Sequence, residues 1–477
     1  MNTSRRDFLR TTACALGGVA LGSAVESFGL VGAYAQSAAT DYRALVCVFL
    51  FGGNDGNNVV VPLDNEFSQY NAVRGPSTLA LAQSSLIPVN PPSQGRQFGL
   101  HPNLSPEVAT PTTQFKGLLD VWNQGKLAVV CNTGPLVEPL TRTTYQNGTG
   151  RKPLQLFSHS DQINLWQSSV SNAVVQSGWG GRLADKAAPL NGGATFPQVV
   201  TIAGINLFVT GQNGLPLAIS DSNSTLGSAL PLTMSPNSTA SNSLSDVPTR
   251  RAAFDALRAL DGGVILVRAD AGTRTSALQT KAQLDSAPNT DFAKIPNTVL
   301  GRQLEQVARL VALRDTLGVK RQIFFCQLGG FDTHSNQRTN GGQDGLLLQV
   351  SQALRGFWDT LGDLGVQNNV TTFTLSDFGR TFQPSGSGGG VGSDHGWGNH
   401  HFVMGGSVRG GDFYGTFPTL ALGGPNDTDT RGRWIPTTSV DQYAATLASW
   451  YGLSSSDFPA VFPLLGNFSP NNLGFLM

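Results

Sequence analysis

Four stretches of the chain are apolar or β-branched with little alternation: Ala44 to Phe51 (ALVCVFLF), Lys126 to Cys131 (KLAVVC), Ile323 to Leu328 (IFFCQL) and Val370 to Leu375 (VTTFTL). A strand covered on both faces reads this way, because neither side of its pleat meets water. Elsewhere the period is helical. Leu300, Leu304, Val307 and Val311 recur at spacings of four and three, behind Asn297 as the expected cap. Leu347, Val350, Leu354, Phe357 and Leu361 repeat in the same way, as do Val440, Tyr443, Leu447, Trp450 and Tyr451. Buried strands alternating with amphipathic helices predict an α/β fold of three layers, helix–sheet–helix, with a mostly parallel central sheet.

Polar and small residues mark the breaks. Ser220 to Thr249 is rich in Ser, Asn, Thr and Pro and predicts a long surface loop, part of an insertion over about 205–250. Gln383 to Gly392 (QPSGSGGGVG) is glycine-rich but lacks the GKT or GKS ending of a phosphate-cradling loop. It predicts a flexible connection that carries the next residues into a site. At the N-terminus, Ser4-Arg5-Arg6-Asp7-Phe8-Leu9-Arg10 precedes an apolar run from Ala13 to Ala24, and Ala33-Tyr34-Ala35 fits a signal-cleavage site. Residues 1–35 therefore predict a twin-arginine signal peptide. The twin-arginine translocase would be a partner during export, and a periplasmic or secreted destination would follow. No later stretch reaches the ~18 apolar residues that a membrane span needs.

Composition narrows the function. Thirty-one basic and thirty-one acidic residues balance, which argues against a nucleic-acid binder. The four cysteines, Cys14, Cys47, Cys131 and Cys326, show no close pairing, so neither a disulfide framework nor a cysteine zinc site is indicated.

The candidate chemistry gathers at strand ends. The first predicted strand runs into Gly52-Gly53-Asn54-Asp55, the third into Gly329-Gly330-Phe331-Asp332-Thr333-His334, and the fourth into Ser376-Asp377. In a parallel sheet such ends share one edge, where open α/β folds bind ligands. Asp394-His395 and His400-His401 follow shortly. All six histidines, His101 and His159 included, read as lying in turn-like segments rather than in strands or helical stripes. Carboxylates converging on one edge would repel and take up protons unless a cation held them ionised. Asp and His together suit a divalent ion such as Zn, Mn, Mg or Ca.

Five segments, FLFGGNDGNNVVVP (49–62), GWGGRLAD (178–185), GGFDTHSNQ (329–337), SDFGRT (376–381) and SDHGWGNHHFVMGG (393–406), resemble the bacterial family catalogued as domain of unknown function 1501. More distantly, the pattern resembles the alkaline phosphatase-like superfamily of phosphatases, sulfatases and phosphoglycerate mutases. That resemblance implies a single alkaline phosphatase-like domain over 36–477. It implies metal ligands at Asp55, Asp332, His334, Asp377 and His395, with His400 or His401 as rivals for the last. Phe378 stands where the superfamily has a second histidine, so one metal position is in doubt. A nucleophile at a helix N-terminus is also implied, for which Ser158 is the candidate, with Ser160 and Thr143 as rivals. Arg142, Arg380 and His159 are candidates to clamp an anionic substrate. Cys131 lacks the C-x-P-S-R context of formylglycine sulfatases, which disfavours an ordinary sulfatase. The expected function is an exported metal-dependent hydrolase of small phosphate or sulfate esters using a serine nucleophile. The alternative is a divergent, non-catalytic exported protein of the same fold that binds a metal and a ligand or partner.

Overall fold

The computed structural model describes residues 39–105, 115–229, 256, 265–388 and 390–477. The signal peptide expected over 1–35, and residues 230–250 of the expected insertion, lie outside the described residues. Among the described residues no helix is long and apolar enough to cross a membrane.

The first half of the chain forms strands β1 (Arg43–Leu50), β2 (Val60–Pro62), β3 (Ile87–Val89), β4 (Phe98–Leu100), β5 (Leu127–Gly134), β6 (Val199–Thr201) and β7 (Leu217–Ala218). The second half adds β8 (Arg321–Leu328), β9 (Val370–Ser376), β10 (Arg380–Pro384), β11 (Ser393–His395), β12 (Asn399–Gly405), β13 (Phe413–Tyr414) and β14 (Thr438–Ser439). The helices that bear on the site are α1 (Gly56–Val59), α2 (Glu66–Arg74), α3 (His159–Ser168), α4 (Trp179–Ala187), α5 (Val299–Ala312), α6 (Gln343–Asp363) and α7 (Val440–Tyr451).

The central sheet runs β13-β5-β12-β9-β1-β8-β6-β7, with β14 also on β5. Among the described strands of this sheet only β12 opposes its neighbours, pairing antiparallel with both β5 and β9. The other pairs are parallel. Alternate residues of β1 enter two separate cores. Ala44, Val46, Val48 and Leu50 join the core that holds Leu300 and Leu304 of α5 and Leu347 and Leu354 of α6. Leu45, Cys47 and Phe49 join the core of Trp179 and Leu183 from α4 and Tyr443 and Leu447 from α7. This two-sided burial is why the strand reads as one unbroken apolar run. Cys47, Cys131 and Cys326 are all free and buried within these strands.

Two local readings change. Thr298 caps α5, its extended backbone letting the side chain accept from Gly301 N, while Asn297 instead accepts from Arg302. His400 and His401 lie inside β12, a fully buried strand, rather than in a turn. Their segment, NHHFVMG, mixes polar and apolar positions and hides its burial.

Register fixes the site. Leu50 pairs with both Leu328 and Ser376, so β1, β8 and β9 end side by side. The segments that follow them leave from a single edge. The hairpin β10–β11 then sets Arg380 opposite His395, with the glycine-rich stretch as its connection.

Candidate metal centre

The turn after β1 presses against the turn after β8. Gly52 has φ +112°, and a Cβ there would collide with the backbone of Phe331 and Asp332. A left-handed glycine is what this close approach requires. Gly52 N also donates to Asp377 Oδ1 at 3.1 Å, tying the end of β9 into the same corner.

Three imidazoles meet above this corner. His159 opens α3, and its Nδ1 lies 2.7 Å from Asp377 Oδ2. An ionised carboxylate only accepts, so Nδ1 carries the hydrogen and Nε2 of the neutral ring is a bare lone pair. His395 Nδ1 donates to the Phe157 carbonyl at 2.8 Å, which frees its Nε2 as well. Phe157 adopts φ +71°, an uncommon conformation for an aromatic residue, immediately before α3. His334 Nδ1 lies 3.1 Å from Asp394 Oδ1, leaving a third free Nε2. The His395 Nε2 then stands 3.1 Å from that of His159 and 3.0 Å from that of His334. Asp332 completes the set, with oxygens 3.5 Å from His159 Nε2, 3.5 Å from His395 Nε2 and 3.0 Å from His334 Nε2.

Facing lone pairs at such distances repel unless a proton or a cation lies between them. Donor atoms 3.0–3.5 Å apart are spaced as around one ion with bonds of ~2.0–2.1 Å. His159, Asp332 and His395 offer ligand atoms that all lie within 4.8 Å of one another. The Asp377, Phe157 and Asp394 acceptors fix each ring's tautomer and orientation, as the outer partners of metal-bound histidines do. The donor set therefore fits a metal ion. Phe378 is buried beneath two of the rings, its centroid 4.8 Å from that of His159 and 4.6 Å from that of His395.

The protonation energetics differ within the cluster. The hydrogen bond that His159 donates to Asp377 raises the pKa of His159 against the effect of burial. Burial lowers that of His395, outweighing the Phe157 carbonyl. For Asp332, burial pushes upward, but the Arg380 guanidinium and the neighbouring histidines together hold the carboxyl below its usual range.

The expected site residues divide. Asp332, His334, Asp377 and His395 come together, joined by His159. Asp377 reaches the centre only through His159. Asp55 stands apart, with both oxygens taken: Arg74 donates to Oδ2 at 2.6 Å and to Oδ1 at 3.1 Å, Gln337 Nε2 to Oδ2 at 2.6 Å, and Asn57 Nδ2 to Oδ1 at 2.9 Å. It also caps α1. His400 stacks flat on Phe417 at 4.9 Å, and its Nδ1 accepts from Asn132 N. His401 packs against Trp166 and Tyr443. Burial pushes these two imidazoles down to about 4 and about 3, so both are neutral.

Ser158 is the N-cap of α3, yet its Oγ donates to Asp161 Oδ2 at 2.6 Å and caps no backbone N–H. Its rivals Ser160 and Thr143 are exposed, Thr143 on a separate short helix. Arg380 has a 0 % exposed side chain and donates to Asp332 Oδ1 at 2.8 Å, while its Nε and Nη1 are buried without partners. It lies beneath the cluster, out of reach of a substrate arriving from solvent. Arg142 spends Nη1 on the carbonyls of Asp427 and Asp429. Sequence reasoning gave no role to Phe157, Asp394 or Arg74. Asp394 was legible through its place beside His395, but a backbone carbonyl and an arginine 19 residues from its partner leave no local signal.

A family model described as Protein of unknown function (DUF1501) matches residues 42–429, and the chain belongs to that family. No curated protein matches the sequence. Among solved structures, the chain is similar to Ps i-CgsB in complex with k-i-k-neocarrahexaose, at 9 % identity and a TM-score of 0.34, over 89 % of this chain and 77 % of that one. It is similar to the PsFucS1 sulfatase from Pseudoalteromonas sp., at 11 % identity and a TM-score of 0.27, over 80 % of this chain and 65 % of that one. It is also similar to a mutant of the TAB5 alkaline phosphatase with Mg bound, at 10 % identity and a TM-score of 0.25, over 77 % of this chain and 91 % of that one.

Proposed function

For this member of the family, we propose a metal-dependent hydrolase of phosphate or sulfate esters, exported by way of its twin-arginine leader. The observation that carries the proposal is the convergence of three imidazole Nε2 atoms beside Asp332, each ring held from behind by an acceptor. His159, His395 and Asp332 would hold the ion, with His334 as a further ligand. A set rich in imidazole favours Zn or Mn over Mg or Ca, which prefer oxygen. These residues would hold a single ion, because Asp55 and Asp377, the other carboxylates expected as ligands, are committed to Arg74 and His159. When bound, the metal supplies a Lewis acid that polarises an ester oxygen and favours ionisation of a nearby hydroxyl.

The chain's own residues supply the rest. Ser158 Oγ, one residue from His159 and free of capping, is the nucleophile, and Asp161 accepts its proton. Attack forms a bond from serine oxygen to phosphorus or sulfur and breaks the ester bond, and the leaving oxygen is protonated from water. Water then hydrolyses the serine ester. Unspent N–H groups in the first turn of α3 stabilise the developing anion.

One panel tests this. Zinc-loaded protein is assayed on aryl phosphate, phosphodiester and sulfate esters, with Ser158→Ala as control. Turnover that depends on both metal and Ser158 supports the proposal. No turnover on any ester with metal fully loaded overturns it in favour of a second reading, a divergent non-catalytic protein that holds one metal and binds a ligand. Phe378, which cannot ligate, and the closed Asp55–Arg74 pair favour that second reading.

A further inference from the structure

An anionic ester, or the oxyanion it releases, needs a cation with hydrogen-bond donors still to give. Among the described residues, Arg380, Arg142 and Arg433 are hidden or held on other groups. Arg380 is fully buried under Asp332. Arg142 gives Nη1 to the backbone carbonyls of Asp427 and Asp429 and, among the described residues, is not hydrogen-bonded to the cluster or to the acceptors behind its rings. Arg433 gives Nε to the His395 carbonyl and Nη1 to Asp429, with its Cζ 4.6 Å from the centroid of the Phe157 ring.

Arg431 differs. One of its nitrogens pairs with Asp394 Oδ2, while Nε and Nη1 have no partner among the described residues, and the side chain is 36 % exposed. Asp394 gives its other oxygen to His334, whose Nε2 lies within 3.0 Å of both His395 Nε2 and Asp332 Oδ1. Arg431 is thus two hydrogen bonds from the cluster and still offers donors. Its backbone is held firmly. Arg431 N donates to Asp429, and the buried Asp427 carboxylate gathers the N–H groups of Gly423, Asp429, Gly432 and Arg433.

We propose that Arg431 is the substrate-binding arginine, which takes the oxyanion of the ester before reaction and of the released phosphate or sulfate after it. The proposal rests on the hydrolase reading for its substrate and on the position of Arg431 for its residue. Asp394 parks the guanidinium through one hydrogen of Nη2, and two oxygens of a tetrahedral anion engage the edge formed by Nη1 and the second Nη2 hydrogen.

The test is calorimetric titration of inorganic phosphate, and separately of sulfate, into the full chain at low ionic strength, before and after equilibration with zinc. Metal content is measured in parallel. Arg431→Gln is expected to weaken binding of the preferred oxyanion by about tenfold or more with zinc content unchanged. Arg431→Lys is expected to restore part of it, because charge returns without the planar fork. Arg151→Gln, an exposed arginine paired with Glu138 elsewhere, serves as control and is expected to bind like the parent. Tighter phosphate than sulfate binding would identify phosphate esters as the source, and the reverse sulfate esters. Equal oxyanion affinity in Arg431→Gln and the parent overturns the assignment, as does a parent that binds neither anion. Failure of the parent to take up zinc overturns the metal reading instead, and Arg431 is then judged on the zinc-free titration.

Discussion

Asp55 and Asp332 each follow a buried strand by a few residues, each beside glycines, and leave the same edge of the sheet, yet they do different work. Around Asp55 the chain supplies its own cation: Arg74 binds both oxygens, and the pair is sealed at 0 % exposure. Around Asp332 the chain supplies one arginine from below and three imidazoles whose free nitrogens face inward. The first arrangement is complete as it stands, and the second is complete only with something added. Asp441 in α7 shows the third possibility, a buried carboxylate with neither. Its oxygens have no hydrogen-bond partner among the described residues. Burial raises its pKa to about 7, since Ser169 and Arg182 act on it too weakly to offset the loss of water.

The largest effect should come from breaking the closed pair. Arg74→Met leaves the buried Asp55 carboxyl without its cation, and is expected to cost about 3–5 kcal/mol of stability, read by denaturant unfolding. Asp55→Asn should also destabilise while leaving the metal stoichiometry of the folded protein intact. At the open site metal content is the leading readout. Asp332→Asn is expected to empty the centre, read by elemental analysis, and to lower stability as well, because the buried Arg380 guanidinium loses its carboxylate. Asp377→Asn removes the acceptor behind His159 and is expected to weaken metal binding by about 10–100-fold, measured by competition with a chelator. Because Asp377 raises the pKa of His159, a proton competes with the ion there. Metal affinity should therefore fall as pH drops through that raised value, and less steeply in Asp377→Asn.

The smallest effect belongs to Asp441. In the fold it stays protonated up to about pH 7, whereas unfolded it ionises near pH ~4. Unfolding between those values releases a proton, so this group's contribution to stability falls as pH rises from about 4 to about 7 and stays low above that. Asp441→Asn is expected to raise the melting temperature at pH 8 by several degrees and to leave it nearly unchanged at pH 4.

Much of the frame was legible because burial on two faces writes itself into composition: β1, β5, β8 and β9 occupy the four apolar runs. Asp332, His334, Asp377 and His395 were visible because strand ends of a parallel sheet share an edge. Asp55 carried the same local signature, and what distinguishes it is Arg74, delivered by the packing of α2, which no spacing rule anticipates. β12 was hidden for a related reason. His400 and His401 are buried as neutral rings stacked on aromatics, and a histidine's charge state cannot be read from its letter. Of the anion-clamp candidates Arg380 is covered in the fold, and no local pattern in the sequence distinguishes it from the more exposed Arg431.

The three thiols inside the sheet carry one last implication. Cys47, Cys131 and Cys326 meet no solvent, and burial pushes each well above the range in which a thiolate forms. Since exchange proceeds through exposed thiolate, these sulfurs neither crosslink nor scramble. The described architecture asks no oxidant for its assembly, and a change from a reducing to an oxidising milieu leaves it covalently as it was.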